Sequence, residues 1–285
     1  MVSIVLLASF LGMVKEDPSI GYRGKSVEKS FYSYSVKDKF RVVVYLPRGY
    51  ETDNTTRYPV IYQLDGNLYG KTTAIMMEHY RYTGEIPVSA IVVGIGYYYD
   101  GFYDKRERDF VYQSEYNNPY REKLEGCASF YLFLKYELIP YIERKYRTDD
   151  SVYGRTLMGH SMGGYFSLYA MFDQFKYTFQ NEEPPVFSNF IAASPIVPDY
   201  MGTLLYLESY NSHYYKGAFP IRLYISYCEY ELGEETRSFT WLRNRFKNWS
   251  FEGFQFQEKY FSRMHQPRTA IPTFKDGLKY IFKLN

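Results

Sequence analysis

The sequence has few of the residues that build disulfide frameworks or metal centres. It contains two cysteines, Cys127 and Cys228, in 285 residues, and four histidines. Two cysteines suggest neither a disulfide framework nor a zinc site. The histidines form no His-x-x-x-His pair and no cluster with acidic residues, so we predict a protein without a catalytic metal or other cofactor.

Neither sign of charge is in excess. Lys and Arg total 34 and Asp and Glu total 32, which gives a net charge of +2. Nucleic-acid binding needs a clustered excess of basic residues. We therefore do not expect DNA or RNA as a partner.

The chain also lacks an apolar run long enough to span a bilayer. The run Val2–Met13 is too short, although it resembles the apolar part of a secretory signal without the usual preceding Lys or Arg. We treat residues 1–26 as an apolar segment and lead-in. We expect export to the periplasm or the medium, with a cytoplasmic location as the alternative.

From residue 27 onward, short apolar runs rich in β-branched residues alternate with segments of helical period. This alternation predicts a single α/β domain, residues 27–285, with a mostly parallel sheet and helices on both faces. Pro140 lies inside the helical segment Ser129–Tyr146, where it predicts a kink or a break. The predicted strands are Phe40–Leu46, Pro59–Leu64, Ala90–Ile95, Arg155–Met158, Asn189–Ala193, Ile221–Ser226 and Gln255–Tyr260.

The segment Gly159-His-Ser-Met-Gly163 fits the G-x-S-x-G pattern of a nucleophile elbow. A predicted strand precedes it and a helical run follows it, which is the context that the α/β-hydrolase fold requires. Projection of the serine needs a strained turn, and the chain around the turn then passes too close for side chains at Gly159 and Gly163. The sequence therefore predicts Ser161 as a catalytic nucleophile.

The general base follows by elimination, because in this fold the order along the chain is serine, acid, histidine. His79 precedes Ser161, His160 adjoins it and is expected to point away, and His213 comes before the strand that should carry the acid. His265 remains, in a loop between the last strand and the last helix. We predict His265 as the base.

The residues alone leave the acid open. Glu229 and Glu231 both follow the strand Ile221–Ser226, and period-two alternation gives them the same facing. Either could orient the imidazole of the base. Asp199, after the preceding strand, is a further candidate.

Tyrosine is abundant, with 35 residues. The abundance has two interpretations, a compositional bias of the genome or a substrate cleft walled by tyrosines. Tyr97, Tyr98, Tyr99 and Tyr103 follow a predicted strand, and Tyr97 and Tyr98 are candidates for the cleft wall.

Several segments together resemble the putative esterase (esterase D-like) family of α/β hydrolases, and most of all its siderophore-esterase branch. The resemblance covers roughly residues 30 to 283. It is carried by Tyr58–Gly66, Ile91–Gly96, Arg106–Asp109, Glu137–Ile142, Gly159–Gly164 and Ala193–Pro195.

The resemblance implies an α/β-hydrolase fold with Ser161 as nucleophile, His265 as base and Glu231 as the favoured acid. It implies that the oxyanion hole uses the backbone N–H groups of Met162 and Asn67. Arg106 and Arg108 correspond to a segment that lines the cleft in relatives.

We therefore predict a serine esterase that hydrolyses a small-molecule carboxylic ester through an acyl-enzyme. Siderophore, feruloyl and acetylated-sugar esters are the substrate classes that the family implies. An acyltransferase with the same triad and a non-catalytic binding protein derived from a hydrolase are the alternatives. The second alternative is disfavoured because such proteins usually lose the serine or the histidine, and this chain keeps both.

Overall fold

A computed structural model describes residues 22–98, 102–111, 126–181, 184–196, 201–214, 218, 220–229, 233–249 and 251–283. Its strands form one eight-stranded sheet. They are β1 (Ser26–Ser33), β2 (Asp38–Tyr45), β3 (Val60–Leu64), β4 (Ile91–Gly96), β5 (Arg155–His160), β6 (Asn189–Ala193), β7 (Arg222–Cys228) and β8 (Gln255–Phe261).

The sheet has the order β1-β2-β4-β3-β5-β6-β7-β8. β1 pairs antiparallel with β2 and β2 antiparallel with β4, while every pair from β4 to β8 is parallel. The prediction of a mostly parallel α/β sheet is confirmed. All of the parallel strands have their carboxyl ends at one edge, which is where such sheets place their sites.

The helices lie on both faces of this sheet, as predicted. They are α1 (Gly66–Thr83), α2 (Phe102–Phe110), α3 (Gly126–Leu132), α4 (Ile139–Lys145), α5 (Met162–Asn181), α6 (Met201–Tyr214), α7 (Gly233–Asn248) and α8 (Ala270–Ile281). α1 and α8 cover one face, where Met77 and Phe274 share a core with Ile61. The other helices pack on the opposite face, which buries Val60 and Tyr62.

The central strands are buried along their whole length. Every residue of β3, β4 and β6 is buried, which fits their nearly continuous apolar sequences. β1 lies at the edge and is largely exposed. Its polar sequence gives no apolar run, which is why the sequence analysis does not predict this strand.

Pro140 does not break the helical segment in which it lies. A π-helical stretch, Phe133–Leu138, joins α3 to α4, and Pro140 occupies the first turn of α4. The wider turn accommodates a residue that cannot donate a backbone hydrogen bond. The predicted irregularity is therefore a π-helical stretch that leaves the helix continuous.

Candidate active site

Ser161 occupies a sharp turn between β5 and α5. Its φ is +59°, in the left-handed region that residues with a side chain rarely adopt. The Ser161 N–H donates to the Ala193 carbonyl at 2.9 Å, and the Ser161 carbonyl accepts from the Tyr165 N–H at 2.9 Å. This strand–turn–helix geometry is that of a nucleophile elbow, as the sequence predicts.

The glycines on either side of Ser161 are not equally constrained. A Cβ added at Gly159 would lie 2.4 Å from the backbone carbonyl group of Gly163, so a side chain there requires the elbow to move. A Cβ at Gly163 would meet Leu64 and a carboxylate oxygen of Asp65 at 3.4 Å, an ordinary contact. The predicted need for glycine is confirmed at Gly159, and the prediction of a clash at Gly163 is wrong.

A second turn of the same kind lies on the neighbouring strand. Asp65 follows β3 with a φ of +53°, and α1 begins at the next residue. Because β3 and β5 pair in parallel, Asp65 and Ser161 lie at the same edge of the sheet. The N-termini of α1 and α5, each with a partial positive charge, therefore lie side by side at the elbow.

The two predicted oxyanion donors occupy these helix N-termini. Met162 is the first residue of α5, and Asn67 is the second residue of α1. Amide groups in the first turn of a helix have no acceptor within the helix, so they can donate to a ligand. The placement fits an oxyanion hole, and the role of the two amides stays a prediction.

The first turn of α1 lies tightly against bare backbone of β4. A Cβ at Gly96 would lie 2.4 Å from Asn67 Oδ1 and 2.9 Å from the Asn67 backbone nitrogen. A Cβ at Gly66 would lie 2.3 Å from the Gly94 carbonyl carbon. Glycine at these positions lets the predicted oxyanion turn approach the strand.

Arg106 joins the two turns. Its guanidinium donates to both carboxylate oxygens of Asp65, at 2.7 and 2.9 Å, and to the His160 carbonyl at 3.0 Å. The side chains of Arg106 and Asp65 are 11% and 1% exposed. The pair is thus an internal brace between the Asp65 turn and the residue before the nucleophile.

Arg108 has carboxylate partners of its own. Its guanidinium binds both oxygens of Asp109, at 2.6 and 2.9 Å, and Asp38 at 3.0 Å. Burial raises the pKa of Asp109, and hydrogen bonds from Arg108 oppose that rise. Both arginines of this segment therefore have partners inside the protein, and a contact of Arg106 or Arg108 with substrate stays a prediction.

The structure separates the two tyrosines predicted for the cleft wall. Tyr97 is 3% exposed and packs against Phe40, Phe102 and Phe110, so it is a core residue and its prediction as a cleft residue is wrong. The next side chain, Tyr98, is 40% exposed. Tyr98 as a cleft residue stays a prediction.

His265 lies in the loop between β8 and α8, at the start of a short 3-10 helix, Gln266–Arg268. The residue that follows His265 is bound to the elbow. The Gln266 carbonyl lies 3.0 Å from His160 Nε2, and the Gln266 side chain donates to the Ser194 carbonyl at 3.1 Å. These contacts hold the His265 loop against the residue before Ser161, and the role of His265 as the base stays a prediction.

His160 is buried and its ring faces the His265 loop. Because a carbonyl can only accept, the hydrogen bond to Gln266 assigns the proton to Nε2. Burial lowers the pKa of His160 to about 4, against a smaller upward effect of this hydrogen bond. His160 is therefore neutral at neutral pH, and its Nε2 has no lone pair with which to act as a base.

Among the acid candidates, Glu229 is described and its carboxylate has a partner. Glu229 Oε2 accepts from the Arg263 N–H at 2.6 Å, two residues before His265. Glu231 and Asp199 lie outside the described residues. The identity of the acid stays a prediction.

An open groove of about 900 Å³ lies elsewhere on the protein. Tyr22, Arg48 and Ala90 are among its lining residues, and Ala90 immediately precedes β4. The groove is therefore at the amino ends of the parallel strands, the opposite edge from Ser161. We do not assign it to ester chemistry.

The model of the family described as putative esterase matches residues 33–221. The chain belongs to the putative esterase family. The match contains Ser161, Arg106 and the two turns at the elbow, and it ends before the His265 loop.

Two curated relatives are similar to parts of the chain. Over 176 residues it is 30% identical to the uncharacterized protein YjcH of Bacillus subtilis (strain 168), a match that covers 61% of this chain and 63% of YjcH. Over 152 residues it is 36% identical to the ferri-bacillibactin esterase BesA of the same organism, which covers 49% of this chain and 48% of BesA. The chain thus matches less than two thirds of the length of either relative.

A solved structure supports the fold. The IroE-like serine hydrolase from Shewanella oneidensis superimposes with a TM-score of 0.72 at 23% identity, covering 91% of this chain and 80% of that one. The prediction of an α/β-hydrolase fold is confirmed.

Two kinds of feature are absent from the described residues. No helix in that part of the chain has both the length and the apolar character needed to cross a membrane. The same residues contain no group of three or more His, Cys, Asp or Glu side chains placed to hold a metal ion.

Three residues that shape the site have no role in the sequence-based prediction: Asp65, His160 and Ser194. Asp65 could have been noticed, because a buried strand that ends in Asp-Gly before a helix repeats the logic of the elbow. His160 is considered in the sequence only as a possible base, and its bond to the His265 loop joins residues 106 positions apart. No local pattern reveals such a contact.

Proposed function

We propose that this protein is a carboxylic-ester hydrolase that works through an acyl-enzyme on Ser161. The observation that carries the proposal is the elbow itself, with Ser161 at a φ of +59° between the beginnings of α1 and α5. A hydroxyl on such a turn projects from the backbone, and the first-turn amides of α1 and α5 lie at the same edge of the sheet. Those amides suit a carbonyl oxygen that becomes negatively charged.

In the first step, Ser161 Oγ attacks the ester carbonyl carbon while His265 takes the hydroxyl proton. The Met162 and Asn67 N–H groups hold the oxyanion of the tetrahedral intermediate. Collapse of this intermediate breaks the bond to the alcohol oxygen, and His265 returns the proton to that leaving group.

In the second step, water loses a proton to His265 and attacks the acyl-enzyme. Collapse then releases the carboxylic acid and restores the Ser161 hydroxyl. An acid, for which Glu231 is favoured over Glu229 and Asp199, orients the imidazole and stabilises its charged form. The location of the site at the carboxyl edge of a parallel sheet supports its assignment as the active site.

For the substrate, we propose an ester bond within a siderophore. The support is the likeness to BesA, whose name describes a ferri-bacillibactin esterase, over 49% of this chain. Feruloyl and acetylated-sugar esters are the competing substrates in a test.

The test of the reaction class compares wild type with Ser161→Ala on p-nitrophenyl butyrate. We expect wild-type turnover and a loss of at least about a thousandfold in the variant, because the nucleophile supplies most of the rate enhancement in serine hydrolases. Ser30→Ala, an exposed serine on the edge strand, is the matched control and should leave the rate unchanged. Equal rates for wild type and Ser161→Ala would refute the proposal.

The base and the substrate are tested separately. His265→Gln should reduce kcat by orders of magnitude, whereas His79→Gln, at an exposed position on α1, should not. A panel of catecholate-siderophore, feruloyl and acetyl-xylan esters should show the highest kcat/KM for the siderophore ester. A preference for either of the other two classes would overturn the substrate proposal while leaving the reaction class intact.

A further inference from the structure

The loop that carries His265 is held from both sides by residues at the ends of two other strands. After His265, the Gln266 carbonyl accepts from His160 Nε2 at 3.0 Å. Before it, the Arg263 N–H donates to Glu229 Oε2 at 2.6 Å. The two contacts lie on opposite sides of the predicted base along the chain, and we call them the clamp.

We propose that His160 and Glu229 are positioning residues that fix the predicted base, His265, relative to Ser161. The inference rests on the proposed esterase function and adds a role that the triad itself does not supply. The ends of β5 and β7 each send one side chain to the loop, and neither side chain has to touch the substrate.

The His160 contact ties the loop to the nucleophile most directly. His160 is the residue before Ser161, and Gln266 is the residue after His265. One hydrogen bond therefore couples the backbone neighbours of the nucleophile and of the base. His160 is only 7% exposed, so no bulk water competes for its ring N–H.

The Gln266 side chain adds a third connection. Its amide donates to the Ser194 carbonyl at 3.1 Å, at the end of β6. Thr269 Oγ1, one turn further, lies 2.8 Å from both Ser194 Oγ and the Gln266 carbonyl. The segment that follows His265 is thus held against β5 and β6 at once.

The Glu229 contact sets the entry to the loop. Arg263 has a φ of +55°, which turns the chain sharply after β8. The carboxylate of Glu229 caps the N–H of this turn. To hold the loop, residue 229 needs only an oxygen that accepts from the Arg263 N–H. To serve as the triad acid, it would also need a negative charge that stabilises the imidazolium of the base.

The experiment compares conservative and disruptive variants at each position. Gln keeps an N–H donor in place of His160 and an acceptor in place of Glu229, and Leu removes both. With p-nitrophenyl butyrate, we expect His160→Leu to lower kcat by about 10- to 100-fold with KM within about threefold, because a displacement of about 1 Å costs about 100-fold. His160→Gln should recover most of kcat.

For Glu229, the same logic separates the clamp from the triad acid. Glu229→Gln should keep kcat within about threefold of wild type, and Glu229→Leu should lower it about tenfold. A loss of more than about 100-fold in Glu229→Gln would overturn its assignment as a clamp and identify it as the acid. An unchanged kcat in a folded His160→Leu protein would overturn the role of His160.

Two further measurements keep the inference testable if a variant does not fold or no ester is turned over. Gln266→Ala removes only the side-chain link to Ser194, and it should lower kcat about three- to tenfold. Hydrogen exchange of the wild-type protein should show a protected Arg263 amide, with faster exchange in Glu229→Leu. Wild-type inactivity on every ester would refute the proposed function alone, whereas an unprotected Arg263 amide would refute the Glu229 contact alone. A kcat unchanged in Gln266→Ala would refute the contribution of the link to Ser194.

Discussion

The brace between Arg106 and Asp65 predicts a large loss of stability when one partner is removed. Arg106→Met keeps much of the apolar stem but leaves the Asp65 carboxylate, 1% exposed, without its two guanidinium hydrogen bonds. Breaking a buried pair in this way costs about 3–5 kcal/mol. The variant also loses the bond to the His160 carbonyl.

For a domain of this size, that free-energy change corresponds to a decrease in Tm of roughly 6 to 20 °C. Urea unfolding followed by circular dichroism measures the free energy, and calorimetry measures Tm. The matched control is Arg41→Met, which removes an ion pair with Glu28 whose side chains are 32% and 48% exposed. We expect about 1 kcal/mol or less there.

The double variant Arg106→Met/Asp65→Asn removes the unpaired charge as well. It should be more stable than Arg106→Met alone, because the remaining amide is cheaper to bury than a carboxylate. A free energy of unfolding for Arg106→Met within 1 kcal/mol of wild type would refute the idea that the pair is a buried brace. Equal stabilities of the single and double variants would refute the electrostatic reason given for it.

Three further predictions concern glycine, protonation and thiol reactivity. Gly96→Ala should displace the Asn67 turn and lower kcat by about 10²- to 10³-fold, which is the cost of losing one oxyanion donor. The control Gly202→Ala, at a position with open space around the added Cβ, should leave kcat unchanged. Equal activities of the two variants would contradict the predicted oxyanion turn. Because burial lowers the pKa of His160 to about 4 from 6.5, the unfolded chain binds a proton in this window that the folded protein does not. Stability should therefore fall as pH decreases from 6.5 to 4, by up to about 3 kcal/mol from this group, and urea midpoints that fall equally steeply in His160→Gln would disprove this origin. Burial raises the pKa of Cys127, so iodoacetamide should label it slowly in the native protein and quickly in urea; fast native labelling followed by mass spectrometry would count against the packing around it.

The sequence predicts the parallel core well because burial on two faces leaves a continuous apolar run. β3, β4 and β6 are such runs, and each lies where the sequence indicates. α2 leaves no such trace, because six of its nine residues are charged. Its arginines also bind carboxylates 41 and 70 positions away, at Asp65 and Asp38, and no local pattern reveals those contacts.

The site divides in the same way. Ser161 and His265 can be predicted, because a strained turn needs glycines at fixed spacing and only four histidines compete for the base. The Arg106–Asp65 brace and the clamp cannot be predicted from the sequence, because hydrogen bonds across the sheet edge follow no periodic pattern along the chain. The acid is undecided because Glu229 and Glu231 are two positions apart, and the period-two alternation of a strand places both side chains on the same face.

Three adjacent parallel strands, β3, β5 and β6, are each followed directly by a residue with positive φ that is not glycine: Asp65, Ser161 and Ser194. Each such residue costs about 1–2 kcal/mol that glycine would not incur. Selection for folding alone would thus favour glycine at Ser161, so the substitution that removes the predicted nucleophile is also the one that relaxes the backbone. If Ser161 is the nucleophile, a lineage released from catalysis should drift toward glycine at this position.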